Sequence, residues 1–347
     1  MSMASDETSS PSELLASARR GDQRAFELLG ERHRREVYLH CYRMLGSLHD
    51  AEDVVQETFL RAWRSIRGFE GRASFRAWLY RIATNTCLNA LASRGRSRRI
   101  LPYDRAPPAD AMPQGSPASD VDWLEPWPDS LQETVEDEAA APDVRYEMRE
   151  AIRLAFIAAI QHLPPRQRAV LLLRDVMGWS ARESAALLDT SVASVNGALQ
   201  RARATMRGRY TRAEPTISGT ITDEQYALLD RYRRSWENAD VSAFVELLQE
   251  DAVITMPPWP QWYAGREAIG RFFSWTFRPE GHAPFRLKRI TANAQPAFAF
   301  YGQWPDQEWR AHSIQVITLD GNTISAMTSF VSPELFPAFG LPPRLAP

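Results

Sequence analysis

Cysteine is almost missing from this 347-residue chain: Cys41 and Cys87 are the only two, without CxxC spacing or a His/Cys cluster. That excludes a disulfide framework and offers no structural zinc site, so each reads as a small buried hydrophobe. Neither a metal nor a cofactor is expected. Lysine is scarcer still, with Lys288 alone among 41 basic residues. No run approaches the roughly 18 apolar residues of a membrane span. The opening MSMASDETSSPSELLAS lacks the basic and apolar regions of a signal peptide, so a cytoplasmic protein with no membrane association is expected. Net charge is nearly absent too, at −2, which argues against a uniformly basic nucleic-acid coat.

What is present is segregated. Residues 1–100 carry +5, residues 101–150 carry −10, residues 151–213 carry +7 and residues 214–347 carry −4. Two basic blocks thus flank an acidic one. The acidic block is also proline-rich, from Pro102 to Pro142, and marks a linker from about Gly95 to Pro142. Inside it WLEPWPDSL (Trp123 to Leu131) is too apolar for a solvated tether and is expected to dock.

Residues 12–94 read as helices. Val55, Phe59, Ala62 and Ile66 form one apolar stripe, with Asp53, Gln56 and Glu57 on the other face. After the Gly-bracketed break GFEGRAS, a second helix is expected to bury Phe75, Leu79, Ile82 and Leu88. In residues 144–209, Pro165 opens a helix, Ser180–Glu183 forms a capping box, and Asp189–Ser191 turns into a helix from Val192 to about Arg207. A short turn between two helices in a +7 block is the helix-turn-helix arrangement. From Ile221 onward, helices at Asp223–Trp236, Val241–Gln249 and Arg266–Trp275 accompany strand-like runs. These are Phe285–Thr291, Ala297–Tyr301, Arg310–Leu319 and Thr323–Val331, the last two joined by an Asp320–Gly321 hairpin turn. That order indicates an α+β domain.

The chemistry follows the charge. With Val195, Leu199, Ala202 and Met206 packed inward, Asn196, Gln200, Arg203 and Arg207 face outward beside Gly197 and Arg201, donors suited to base edges and phosphates. An acidic Asp53/Gln56/Glu57 face would repel phosphate and suits a basic protein surface. Arg72, Arg76, Arg81, Arg94, Arg96, Arg98 and Arg99, interleaved with Trp78, Tyr80 and Asn85, suit unstacked single-stranded bases, although Trp78 and Tyr80 fit a core equally well.

The runs DAEDVVQETFLRAW and FRAWLYRIATNTCLN are similar to domain 2 of the extracytoplasmic-function (ECF) sigma factors of bacterial RNA polymerase. LPPRQRAVLLLRDVMGWSARESAALLDTSVASVNGALQRAR resembles their domain 4. The two likenesses cover roughly residues 23–97 and 145–209. WENADVSAFVELLQEDAVITMPP with WYAGREAIGRFF is similar to the SnoaL-like branch of the cone-shaped nuclear-transport-factor-2-like fold. The resemblance implies a multidomain chain: two all-α sigma domains, the second a helix-turn-helix, then an α+β cone-shaped SnoaL-like domain. The expected boundaries are 12–97 for domain 2, 98–143 for the acidic linker, 144–212 for domain 4 and 218–345 for the regulatory tail.

It also implies roles. Asp53, Gln56, Glu57 and Phe59 would grip the β′ clamp helices of core RNA polymerase. Arg72, Ser74, Arg76, Trp78, Arg81 and Asn85 would melt and hold the minus-10 element of promoter DNA. Asn196, Gly197, Gln200, Arg201 and Arg203 would read the minus-35 element, although Asn196 and Gly197 depart from residues common in the family. The tail would tune sigma activity, through a small-molecule ligand or an intramolecular contact with the sigma domains. Its candidate pocket residues are Trp262, Tyr263, His312 and Asp251, with His282 and Tyr301 as further proton-transfer candidates. The residues alone leave two other readings open: a stand-alone ligand-responsive helix-turn-helix regulator, and a cyclase or isomerase tail.

Overall fold

The computed structural model describes residues 10–93, 98–113, 116–131, 149–210, 221–277 and 284–345. The described chain divides into two units. One holds the helices up to residue 98 together with Leu131 and residues 159–210; the other holds residues 99–130, 149–158 and 221–345.

The first unit starts with α1 (Pro11–Arg19), α2 (Gln23–Leu45), α3 (Leu48–Ser65) and α4 (Phe75–Ser93). Local chemistry sets their ends. Ser10 and Glu13 close a capping box on α1, Asp22 caps α2, and Ser47 caps α3. Gly46, at φ 71°, supplies the left-handed residue that stops α2 one step before that cap. Phe26, Leu29 and Val37 of α2, Val54, Val55 and Ala62 of α3, and Phe75 and Leu79 of α4 are all buried. The α4 stripe differs from expectation: Ile82 and Leu88 are half-buried, and Ala83, Cys87 and Leu91 take the interior. Small residues there let α2 and α4 approach, and Cys41 and Cys87 are both fully buried free thiols.

His40 lies in this interior, its Nε2 paired with Thr84 Oγ1 at 2.9 Å. Burial, with Arg43 nearby, pushes its pKa down to about 3. A histidine depressed on folding stabilises the fold fully above its unfolded value near 6.5, and that contribution is lost as pH falls from there toward 3. Denaturant midpoints should therefore decline as pH drops from about 6.5, and His40→Gln should flatten that slope. Parallel slopes for both proteins would contradict it.

The second helical set is α5 (Leu154–Gln161), α6 (Pro165–Leu171) running into a π turn at Leu172–Val176, α7 (Ala181–Leu187) and α8 (Val192–Arg207). The expected Ser180/Glu183 capping box opens α7, and Ser191 caps α8. α6 also meets α2. Arg168, fully buried, donates to the carbonyls of Ile160, Gln161 and Leu163 at 3.0, 2.9 and 3.2 Å, to Gln161 Oε1 at 2.6 Å, and to Met44 O at the end of α2. Gln161 Nε2 donates to the neighbouring Arg43 O at 3.2 Å. Carbonyls that α2 leaves open at its C-terminus are thus satisfied from the later helices.

The second unit carries α9 (Asp223–Glu237), α10 (Val241–Val245), β1 (Leu248–Thr255), β2 (Trp262–Ala264), α11 (Arg266–Thr276), β3 (Phe285–Ala292), β4 (Gln295–Gln303), β5 (Trp309–Asp320), β6 (Thr323–Phe330) and β7 (Arg344–Leu345). The sheet order is β2-β1-β6-β5-β4-β3, with β7 beside β5. Only β1–β6 is parallel among these pairs. The helix expected over Val241–Gln249 ends at Val245, because Leu248, Ala252 and Ile254 turn their alternating side chains into the core as β1. The cone is filled by rings: Phe244 stacks on Phe273 at 3.8 Å, and Trp236 meets Phe273 and Phe300 at 4.6 and 4.8 Å.

Residues 99–130 of the linker belong to this unit. Trp123, Leu124 and Trp127 are buried, Ile100 bridges to Trp123, and Pro128 bridges to Ala292 at the end of β3. The β3–β4 turn is Asn293–Ala294, both left-handed at φ 55° and 53°. Asn293 N–H donates to Trp127 O (2.8 Å), Trp127 N–H donates back to Asn293 Oδ1 (2.9 Å), and Asn293 Nδ2 donates to Ile152 O (2.8 Å). Ala294 N–H reaches Asp129, and Leu154 N–H donates to Gln295 Oε1. One hairpin turn therefore holds both the linker and the start of α5.

Candidate nucleic-acid interface

α8 presents the outward stripe that the sequence indicates. Asn196, Gln200, Arg201, Arg203 and Arg207 are exposed, Gly197 is half-buried, and Val195, Leu199, Ala202 and Met206 face inward. Arg203 has a partner within the protein: its Nε and Nη2 donate to Asp175 of the π turn at 2.9 and 2.7 Å. It is thus oriented by a carboxylate before any DNA arrives. Val192, the first residue of α8, heads the same stripe and is 43% exposed. Sequence reasoning passed over it because only polar donors were sought there.

The α4 group separates by role. Arg81 and Asn85, one turn apart, are exposed. Arg72 is exposed and paired with Glu70. Ser74 accepts the N–H of Ala77 at 3.1 Å, so its hydroxyl starts α4. Arg76 donates to Glu36 at 2.7 Å and lies 5.1 Å over the Tyr80 ring. Burial acts to raise the Glu36 pKa, yet His33 and Arg76 outweigh it and hold the carboxyl below its usual value. Tyr80 is core, buried and 5.5 Å from the Trp179 ring, whereas Trp78 is half-exposed against Phe69 and Phe75 at 5.1 and 5.7 Å. Arg98 meets His162, and Arg99 holds Trp123 O and Glu125. Arg94 and Arg96 lie outside the described residues.

On α3, Asp53 and Gln56 are exposed, and Glu57 pairs with Arg61 at 2.6 Å one turn on. Phe59 does not project freely. Its ring lies against Gly30 of α2, where an added Cβ would meet it at 2.9 Å, and Arg34 sits 4.9 Å over its face. Beside it runs an open groove of about 700 Å³ lined by Phe26, Gln56, Phe59, Leu60 and Trp63. Leu60 is half-exposed at its rim. The groove is ringed by charged side chains, with Glu31 paired to Arg34 at 2.7 Å and Glu27 beside Gln23 and Arg24, and an apolar floor with a polar rim suits a protein helix.

The four tail residues expected to form a pocket have separate employments. Trp262 Nε1 donates to Ala106 O at 2.7 Å, and Tyr263 donates to Ala111 O at 3.1 Å. Both hold the linker along β2, an edge of the sheet. Asp251 is exposed on β1. His312 lies 5.2 Å from Phe285, and burial pushes its pKa down to about 4. Tyr301 donates to Pro342 O, and His282 lies outside the described residues. Trp262 and Tyr263 thus contact the linker, while His312 packs beside Phe285.

Comparison with known proteins matches these parts separately. Residues 29–97 fit the family model of Sigma-70 region 2, residues 153–206 that of Sigma-70, region 4, and residues 229–327 that of the SnoaL-like domain. The ECF RNA polymerase sigma factor SigG of Mycobacterium tuberculosis is 44% identical over 331 residues, covering 95% of this chain and 86% of that protein. The ECF RNA polymerase sigma-E factor of Escherichia coli is 33% identical over 194 residues, covering 55% of this chain and 88% of its own. Among solved structures, the Mycobacterium tuberculosis extracytoplasmic function sigma factor SigJ shares the fold, with a TM-score of 0.57 and 20% identity over 89% of this chain and 97% of that one.

Proposed function

Because this chain belongs to the ECF family of RNA polymerase sigma factors, we propose that it docks on core polymerase through α3, reads promoter DNA with α4 and α8, and starts transcription. The polymerase forms the phosphodiester bonds, and the chain supplies recognition and strand opening in the cytoplasm where polymerase works. One observation carries the reading furthest: the exposed Asp53–Gln56 face beside the Phe59–Leu60 groove, in the same chain as a basic helix-turn-helix. A stand-alone DNA-binding regulator has no use for that face.

In this reading Arg81 and Asn85 of α4 meet the minus-10 element, Asn196, Gln200 and Arg201 of α8 meet the minus-35 element, and Ser74 and Tyr80 support α4 from within. The SnoaL-like tail regulates by holding the linker and the start of α5, so it sets the disposition of what lies between the two DNA-reading helices. Acids of the linker are engaged within the chain: Asp120 with Arg105, Glu125 with Arg99, and Asp129 with Ala294 N–H.

Asp53→Arg tests the docking face. The side chain is exposed, so the fold should be unaffected. Affinity for core polymerase should fall at least tenfold by fluorescence anisotropy, as expected when like charge is placed against a complementary surface. Circular dichroism should match the parent protein. Undiminished core binding would overturn the assignment of α3.

A further inference from the structure

We infer that Val192 is a specificity-determining residue that reads a thymine 5-methyl group in the minus-35 element, alongside the base met by Asn196. The inference rests on the family reading above and extends it to a residue outside the polar set.

Among the described residues, Val192 is one of few large apolar side chains left substantially in water, at 43% exposure. Its position is not arbitrary. It is the first residue of α8, capped by Ser191, whose side chain accepts the Ser194 N–H at 3.1 Å. In helix-turn-helix proteins the N-terminal residues of the second helix enter the major groove first. Along α8, residues 192, 196, 200, 203 and 207 recur at helical spacing, and all five are exposed. Val192 therefore opens the same stripe that carries Asn196 and Gln200, one turn (about 5 Å) ahead of Asn196.

The chemistry of that stripe selects a ligand. Asn and Gln pair bidentately with adenine N6 and N7. Each adenine faces a thymine, whose C5-methyl is the major groove's apolar landmark and the natural contact for a small aliphatic side chain. A β-branched valine suits the role, because its χ1 is fixed in a helix and its methyls pay little entropy on contact. A side chain without a methyl at this place would carry little preference for thymine over uracil. Arg203, held by Asp175 at 2.7 Å, lies about one turn beyond Gln200 and is suited to a backbone phosphate.

The test uses holoenzyme assembled from the full-length chain and core polymerase. Minus-35 elements are selected from a randomised library, and each thymine is then replaced singly by deoxyuridine, which removes only the methyl. With the parent protein, one thymine should show a threefold to fivefold loss of open-complex formation, the size of one buried methyl or methylene group. Val192→Ala should show a similar loss on thymine DNA and no further loss on the matching uracil DNA. Val192→Thr, which keeps one methyl, should fall between. If Val192→Ala loses equally on both DNAs, or neither substitution matters, the inference fails while the sigma-factor reading stands. If holoenzyme enriches no minus-35 element at all, both fail.

Discussion

Trp127→Ala should release the linker from the tail and cost about 3–5 kcal/mol, the usual range for emptying a large buried aromatic site. Trp127 is wholly buried, and its backbone is clasped in both directions by Asn293 at 2.8 and 2.9 Å. The indole occupies volume that alanine leaves vacant, and the remaining two backbone hydrogen bonds, about 1 kcal/mol each, cannot hold the segment alone. Thermal denaturation should show a lower transition, and limited proteolysis should cut within residues 99–131 first. Asn293→Gly separates the clasp from the cavity. Glycine accepts the left-handed φ of 55° without strain but forfeits the side-chain bonds to Trp127 and Ile152. It should reproduce the proteolytic sensitivity with a smaller loss of stability. In run-off transcription both variants should differ from the parent protein. Unchanged output at every promoter tested would overturn the regulatory role of the tail.

Arg168→Ala should be comparably damaging in the other unit, by about 3–5 kcal/mol. Burial pushes the guanidinium pKa down to about 9, so it remains cationic at neutral pH, compensated by the oxygens of Met44, Ile160, Gln161 and Leu163. Alanine would strand these acceptors out of water, each at about 1–3 kcal/mol. Arg168→Lys keeps the charge but has no planar fork to reach donors on several sides, so it should recover only part of the loss. Urea unfolding monitored by tryptophan fluorescence measures both. A loss below about 0.5 kcal/mol for the alanine variant would show that Arg168 contributes little to the fold.

Where local chemistry decides structure, the sequence was legible. The Ser180–Glu183 capping box, the Asp189–Ser191 turn and the Asp320–Gly321 turn placed the helix-turn-helix and the last hairpin within a residue or two. Where an apolar run has no single period, it was not: Val241 to Thr255 holds a short helix and a strand with two residues between them. The linker shows the same limit at longer range. WLEPWPDSL announced that it buries something, yet nothing local could point to Asn293, 166 positions from Trp127. Arg168 was unreadable for a related reason, since its acceptors are carbonyls, and backbone oxygens leave no mark in composition. Asp53, Gln56, Asn196 and Gln200 were identifiable because exposed positions on an amphipathic helix follow from its buried ones.

The contact of Tyr80 with Trp179 sets a length scale. It joins α4 to the helix-turn-helix within one unit of roughly 150 residues, a body about 40 Å across. The minus-10 and minus-35 elements, by their names, are centred about 25 base pairs apart, ~85 Å of duplex at 3.4 Å per step. A ruler that short cannot touch both marks. With α4 and α8 reading the two elements as proposed, engagement of a whole promoter would require this seam to part, and the work of parting it would be subtracted from the affinity of the free chain for DNA. Core polymerase, by holding the two halves at the spacing of the duplex, would remove that deficit before the promoter is met.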